Sequence, residues 1–214
     1  MVGINNSTLI EYDDLESIIY LLKNVTEIDL SGYSKSSLKR RIERFLQVEK
    51  MDVVDLKNAI VNVKDFHNYF IQELVVNVTE MFRDPQFYVS LKKNVIPYLK
   101  TYPQIRIWSA GSSTGEEAYS TTILLNEMGI LERSFIYGTD ISPRALEIAR
   151  KGVYSLNKIK SYTENYLQTK PFTDFSSHYT AMYDAAIINK EYRSKVLFST
   201  HNLVSDGAFN EFQL

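Results

Sequence analysis

Arg106-Ile-Trp-Ser-Ala-Gly-Ser-Ser-Thr-Gly-Glu-Glu-Ala-Tyr-Ser120 reads as a buried strand that runs through a glycine-bearing turn into a helix. A second unit of the same kind follows, Ser134-Phe-Ile-Tyr-Gly-Thr-Asp-Ile-Ser-Pro-Arg-Ala-Leu-Glu-Ile-Ala-Arg-Lys-Gly152, with Asp140 at the end of its strand. Strand, small-residue turn, helix, strand and acid form the opening half of a nucleoside-binding α/β fold. Two βα units this close imply parallel strands joined by a right-handed crossover.

Working outward, the first strand spans Ile105 to Ala110 and its helix about Glu116 to Met128, with Gly129 as a left-handed cap. The second strand spans Phe135 to Thr139, and Ser142-Pro143 starts a helix that Gly152 ends. Upstream lies a junction, Asn77-Val-Thr-Glu-Met-Phe-Arg-Asp-Pro85, where Asp84 can cap a helix that Pro85 opens and that runs to about Lys100. Before it, Leu15, Ile18, Ile19 and Leu22 recur at helical spacing, as do Leu38, Ile42, Phe45 and Leu46. Ser31-Gly32 and Asp52 punctuate this region as turn or cap positions. No glycine occurs between Gly32 and Gly111, and Pro85 is the first proline. An all-helical section, residues 1–75, thus gives way to an α/β section, residues 76–214. Within the latter the pattern weakens from Val153 to Ser194, and residues 153–195 form a candidate subdomain insertion. Val196 to Leu203 restores a strand signal.

With 214 residues, 44% of them hydrophobic, and a net charge of -2, the chain suits one full soluble domain and a small one. No stretch is long and apolar enough to span a bilayer, and the N-terminal residues carry no secretory pattern. The lack of cysteine excludes disulfides and thiolate chemistry and fits a reducing cytoplasm. The near-neutral charge argues against bulk nucleic-acid binding.

Ala110, Gly111, Ser112 and Ser113 would let a ligand approach the backbone, and the helix beyond them would offer unpaired N–H donors to a carboxylate or a ribose. Alternatively Thr114-Gly-Glu-Glu117 is a capping box. The glycine spacing of dinucleotide sites is absent, so NAD and FAD are not supported. Asp140 is placed to accept from two adjacent ribose hydroxyls, or it is an ordinary turn acid before Ser142-Pro143. Arg83 could grip a carboxylate with two parallel hydrogen bonds, or pair on the surface with Asp84 or Glu80. Lys35, Lys39, Arg40, Arg41, Arg44 and Lys50, against Glu43 and Glu49, leave a net of four positive charges on one helical segment. An acidic partner could dock there, or the face is simply solvated. His67, His178 and His201 lack ligand spacing, so no metal site is expected. Trp108 reads as core.

Together these residues resemble a known family, the CheR-type chemotaxis receptor glutamate O-methyltransferases, which use S-adenosylmethionine. The resemblance rests on Asn77-Val-Thr-Glu-Met-Phe-Arg83, on Trp108 to Ser120, and on Gly138-Thr-Asp-Ile-Ser142 followed by Ala145 to Tyr154, with a weaker match at Phe198-Ser-Thr-His-Asn-Leu203. It covers nearly the whole chain, including the helical front section with its basic helix. It implies an all-helical N-terminal domain followed by a Rossmann-like methyltransferase domain with a parallel sheet. It also implies that Asn77, Thr79, Arg83, Glu117, Asp140, Asn202 and Leu203 contact or border S-adenosyl-L-methionine, the product being S-adenosyl-L-homocysteine. Asp140 would hold the ribose, Glu117 would face the methionine ammonium, and Arg83 would orient the substrate glutamate. Lys39, Arg40, Arg41 and Arg44 would meet chemoreceptor cytoplasmic helices.

Two departures from the family pattern shape the expectations. Family members continue with a strand and an Arg-Asn motif followed by a tyrosine, whereas this chain ends at Leu214. The α/β domain is therefore expected to be partial, lacking its C-terminal strands, to leave the first strand as a bare edge, and to be inactive alone. A non-catalytic module that binds S-adenosylmethionine or a signalling partner is the competing reading. The other departure is that some relatives dock a receptor tail peptide on a small antiparallel β-subdomain with glycine-bearing turns. Residues 153–195 contain no glycine, so tail-peptide binding is not expected.

Overall fold

The computed structural model describes residues 10–26, 28–74 and 79–214. The chain divides into two compact units, one of residues up to Val76 together with Asn202–Asp206, the other of Asn77–His201 with Gly207–Leu214.

In the first unit, α1 (Tyr12–Thr26), α2 (Lys35–Glu49), α3 (Val53–Asn62) and α4 (Phe66–Leu74) bury the stripes that their spacing predicts, Leu15, Ile18, Ile19 and Leu22 on α1 and Leu38, Ile42, Phe45 and Leu46 on α2. The Phe45 ring meets Phe70 at 4.8 Å between centroids and Tyr69 at 5.6 Å. Asp52 caps α3 in a reciprocal box with Asp55. The cap of α2 is Ser34, whose Oγ accepts from the Ser37 N–H. Ser31 and Gly32 lie in the turn before it.

The second unit opens with a helical run, α5 (Pro85–Ser90), a wide π turn (Leu91–Val95) and α6 (Ile96–Leu99). The wide turn ends two residues before Pro97, which has no N–H to donate and whose ring would collide with the carbonyl four residues back. A parallel sheet follows, in the order β1-β2-β6, from β1 (Ile105–Ala110), β2 (Ser134–Asp140) and β6 (Val196–Thr200). Its helices are α7 (Glu116–Glu127) and α8 (Pro143–Lys151), the latter ended by Gly152 at φ 60°. Ile105, Ile107, Ile136 and Phe198 on one sheet face join Ala118, Ile123, Leu124, Leu146 and Ala149 in the core.

Between α8 and β6 the chain forms β3 (Val153–Ser155), α9 (Leu156–Gln168), β4 (Tyr179–Met182), β5 (Ala185–Ile188) and α10 (Lys190–Arg193). The three strands make an antiparallel sheet in the order β3-β5-β4. Its hairpin turns without glycine, because Tyr183 takes the left-handed conformation at φ 52°.

The outer edge of β1 is not bare, contrary to expectation. Gln213 donates its N–H to the Arg106 carbonyl, and Trp108 donates its N–H to the Leu214 carbonyl, each at 2.8 Å. Nor is Trp108 in the core: it is half-buried on the other sheet face. There it stacks on Phe212 at 5.4 Å and donates from Nε1 to Thr139 Oγ1 at 2.8 Å.

Candidate active site

The loop after β1 folds back onto the end of β2. Gly111 and Ser112 both donate their N–H groups to the Thr139 carbonyl at 2.8 Å, and the Ser113 N–H goes to Asp140 Oδ2 at 2.8 Å. Asp140 Oδ1 accepts the Ser142 N–H at 2.9 Å. The Asp140 carboxylate, 6% exposed, thus has one backbone donor on each oxygen and lone-pair capacity left on both.

The N–H groups of residues 111–113 within the turn are thus taken up by β2, and the expectation of free donors concerns only the start of the helix beyond them. What the side chains around the loop present is acceptors, the carboxylates of Asp140 at the end of β2 and Glu117 at the start of α7, and Ser112 Oγ in the loop is buried without a hydrogen-bond partner. Acceptors suit a ligand that brings its own donors, such as vicinal hydroxyls and an ammonium group. A phosphate or carboxylate would need the reverse.

Glu117 lies exposed in the first turn of α7, where its Oε1 accepts the Ser109 hydroxyl at 2.7 Å. The Tyr88 phenol is pushed well above the usual tyrosine range by burial and then by the Glu117 charge. The capping box between Thr114 and Glu117 does not form. The helix starts after Gly115, which is left-handed at φ 92° and has no side chain to cap with, and Thr114 Oγ1 instead donates to Glu116 Oε2 at 2.5 Å. Glu116 itself is fully buried and also accepts from Tyr162 Oη at 2.9 Å and from Lys158 Nζ at 3.4 Å.

Arg83 sits with an exposed side chain on the turn leading to α5, and Thr79 is half-buried at the start of that segment. Asp84 occupies the position before α5, but at φ 56° its side chain makes no cap, so the capping expected of it fails. The Phe82 N–H donates to Ser120 Oγ on α7 at 2.8 Å, which joins the Arg83 turn to the helix that bears Glu117. Asn77 lies outside the described residues. Asn202 and Leu203 belong to the stretch that clusters with the helical unit. There the Asn202 amide donates to the Asp29 carbonyl at 3.2 Å and its Oδ1 accepts the Val204 N–H at 3.0 Å, while Leu203 is 52% exposed.

The basic patch on α2 is smaller than its charge count suggests. Lys39 pairs with Glu43 at 2.8 Å, and Arg41 donates from Nη1 to the Leu74 carbonyl at 2.6 Å, burial lowering its pKa. Arg40 and Arg44 are exposed and stand outside the ion pairs found among the described residues. Sequence reasoning missed Ser109, Glu116 and Ser120; the paired acids at the start of α7 were the available signal, and only the fold separates the buried one from the exposed one.

An open parallel sheet with an acceptor-bearing first turn and an acid ending the second strand defines a Rossmann-like nucleoside-binding domain, here preceded by a helical one. Residues 77–214 match the SAM binding domain of CheR methyltransferase, and residues 13–74 match the CheR methyltransferase all-alpha domain. The chain belongs to the CheR methyltransferase family, and its cofactor is S-adenosylmethionine. A Pseudomonas putida protein named "Putative methyltransferase Cher3" is 42% identical over 187 residues, which is 87% of this chain and 68% of that one. A Listeria innocua chemotaxis protein methyltransferase is 27% identical over 206 residues, covering 91% of this chain and 72% of its own. A 104.1 kDa Rhodobacter capsulatus protein is 27% identical over 219 residues, covering 95% of this chain and only 22% of its own length. Among the described residues no helix is long and apolar enough to cross a membrane, and no cluster of His, Asp and Glu could hold a metal ion.

Proposed function

We propose that the protein transfers a methyl group from S-adenosylmethionine to glutamate side chains of chemoreceptor cytoplasmic helices, giving glutamate methyl esters and S-adenosylhomocysteine. The observation that carries this reading is the Asp140 carboxylate, buried at the end of β2 and fixed by the N–H groups of Ser113 and Ser142 with lone pairs left on both oxygens. Asp140 would take the ribose hydroxyls and Glu117 the ammonium of the methionine part, with Thr79, Asn77, Asn202 and Leu203 bordering the cofactor. S-adenosylmethionine supplies an electrophilic methyl group when bound. A substrate glutamate is already ionised at neutral pH, so no general base is needed. The proposed chemistry therefore calls for no Ser/His pair and no carboxylate acting as a base. Arg83 would grip one face of the substrate carboxylate and leave an oxygen directed at the methyl, so that orientation supplies most of the acceleration.

Arg40 and Arg44 on α2 are proposed to steer the acidic receptor surface, with Lys39 and Arg41 contributing less because their charges are engaged. The turn between β4 and β5 is made by Tyr183 in the left-handed conformation and contains no glycine, and receptor recognition is proposed to be independent of a tail peptide.

Calorimetry with S-adenosylmethionine and S-adenosylhomocysteine tests the site. Asp140→Ala is expected to weaken binding at least about tenfold, as befits charge-assisted hydrogen bonds worth about 1.5–3 kcal/mol. Equal affinity in wild type and variant would overturn the assignment. A receptor fragment that gains no base-labile methyl label from the full-length polypeptide would overturn the substrate.

A further inference from the structure

Arg83 stands on a turn whose backbone is held from outside. The residues on either side of it, Phe82 and Asp84, are both at positive φ, 53° and 56°, a conformation disfavoured for residues with a Cβ. Two side chains from different helices grip this turn. From α7, Ser120 Oγ accepts the Phe82 N–H at 2.8 Å and donates its own proton to the Glu116 carbonyl at 2.7 Å. From α9, Asn165 Nδ2 donates to the Met81 carbonyl at 3.1 Å and to Glu80 Oε2 at 3.2 Å. The Phe82 ring is buried against Tyr166 at 4.9 Å and Tyr88 at 5.0 Å. Ser120 is fully buried, so no solvent competes for its hydroxyl. It lies three residues beyond Glu117, close to one turn further along the same helix.

We propose that Ser120 is a positioning residue for methyl transfer: with Asn165 it fixes the turn that presents Arg83, referencing that turn to the helix on which Glu117 stands. The proposal rests on the reading of Arg83 as the group that orients the substrate carboxylate. Without the Ser120 hydroxyl the Phe82 N–H is left buried and unpaired, and the turn relaxes toward ordinary φ values, which moves Arg83. The cofactor acceptors Asp140 and Glu117 do not depend on that bond.

The test is a cycle on the full-length polypeptide with a chemoreceptor fragment as substrate: Ser120→Ala, Arg83→Ala, the double variant and Asn165→Ala, each measured for kcat and for S-adenosylmethionine affinity. Ser120→Ala is expected to lower kcat tenfold or more while the cofactor Kd stays within threefold. In the Arg83→Ala background the same substitution is expected to change kcat less than twofold, which a merely structural role would not produce. Asn165→Ala alters a half-exposed side chain and is expected to give a smaller loss with the same coupling, so it decides the matter if the serine variant does not fold. The proposal is overturned if the loss persists undiminished without Arg83, if kcat is unchanged with Arg83 present, or if cofactor affinity falls in step with kcat. Wild-type kcat in Arg83→Ala alone would instead remove the reading of Arg83, and this proposal with it.

Discussion

Gly138 has no room for a methyl group. A Cβ there would lie 2.5 Å from the Phe198 ring and 3.2 Å from Ser112 Oγ, and Phe198 is itself buried against Tyr119 at 5.8 Å. Gly138 immediately precedes Thr139, whose carbonyl holds the loop after β1, and Asp140. Gly138→Ala is therefore expected to destabilise the α/β unit by about 1–3 kcal/mol and to weaken cofactor binding with it. Urea unfolding and calorimetry on the same preparation check this, and an unchanged midpoint would count against it. Asp140 stands at a fixed chain position relative to strands that can be read, so its candidacy needed no coordinates, whereas Glu117 read from its position only as part of a capping box and became a candidate through the family resemblance. What could not be read is that the turn folds back onto β2, where the N–H groups of Gly111, Ser112 and Ser113 are spent on Thr139 and Asp140.

Among the elements, α7, α9 and α10 are tied by one buried network with the turn before β4. Tyr166 Oη reaches Glu127 Oε1 at 2.6 Å and His178 Nε2 at 2.8 Å; His178 Nδ1 reaches Tyr192 Oη at 2.8 Å. Lys92 Nζ closes on the other Glu127 oxygen at 2.9 Å. Burial lowers the His178 pKa below its ordinary 6.5, opposed by the charges of Glu127 and Glu191. Below about pH 6.5 the unfolded chain therefore takes up a proton that the folded one resists. The stability from this group is complete above that pH and is lost as pH falls through the unfolded value toward the folded one, by at most about 1.4 kcal/mol per unit. Thermal unfolding from pH 7.5 to 5.5 is expected to slope downward in the wild type and to flatten in His178→Gln. Parallel curves would show that another group titrates. The antiparallel sheet that this network supports was hardly legible in the sequence. Its strands are three or four residues long, too short for a period-two pattern to declare itself, and Tyr183 makes a turn where glycine is the usual signal. The strands of the parallel sheet run five to seven residues; β1 and β2 were legible to within a residue of their ends, whereas β6 stops at Thr200, short of the Leu203 at which its sequence signal ends.

In the molecule taken entire, one short stretch breaks the order of the chain between the two units. Asn202–Asp206 leaves the α/β unit after His201 and clusters with the helices before the chain returns at Gly207. Within the helical unit Val204 lies against Gly32, where a Cβ would meet its Cγ1 at 2.6 Å, and the buried Asn202 amide holds the Asp29 carbonyl. Asn202→Ala is expected to cost the helical unit about 1–3 kcal/mol. The change should appear in hydrogen exchange as faster exchange of residues 28–33, with the amides of β1 and β2 unaffected; uniform acceleration in both units would refute the assignment. No sequence pattern announces this excursion, and the strand signal runs on through its first two residues, Asn202 and Leu203. Trp108 gives the α/β unit an internal reporter of its own. It is the only tryptophan in the chain, and its indole N–H is bonded to Thr139, the residue before Asp140. Its fluorescence emission should follow ligand arrival at the end of β2 and any loosening of the Phe212 contact, without a label and without a competing signal from the helical unit.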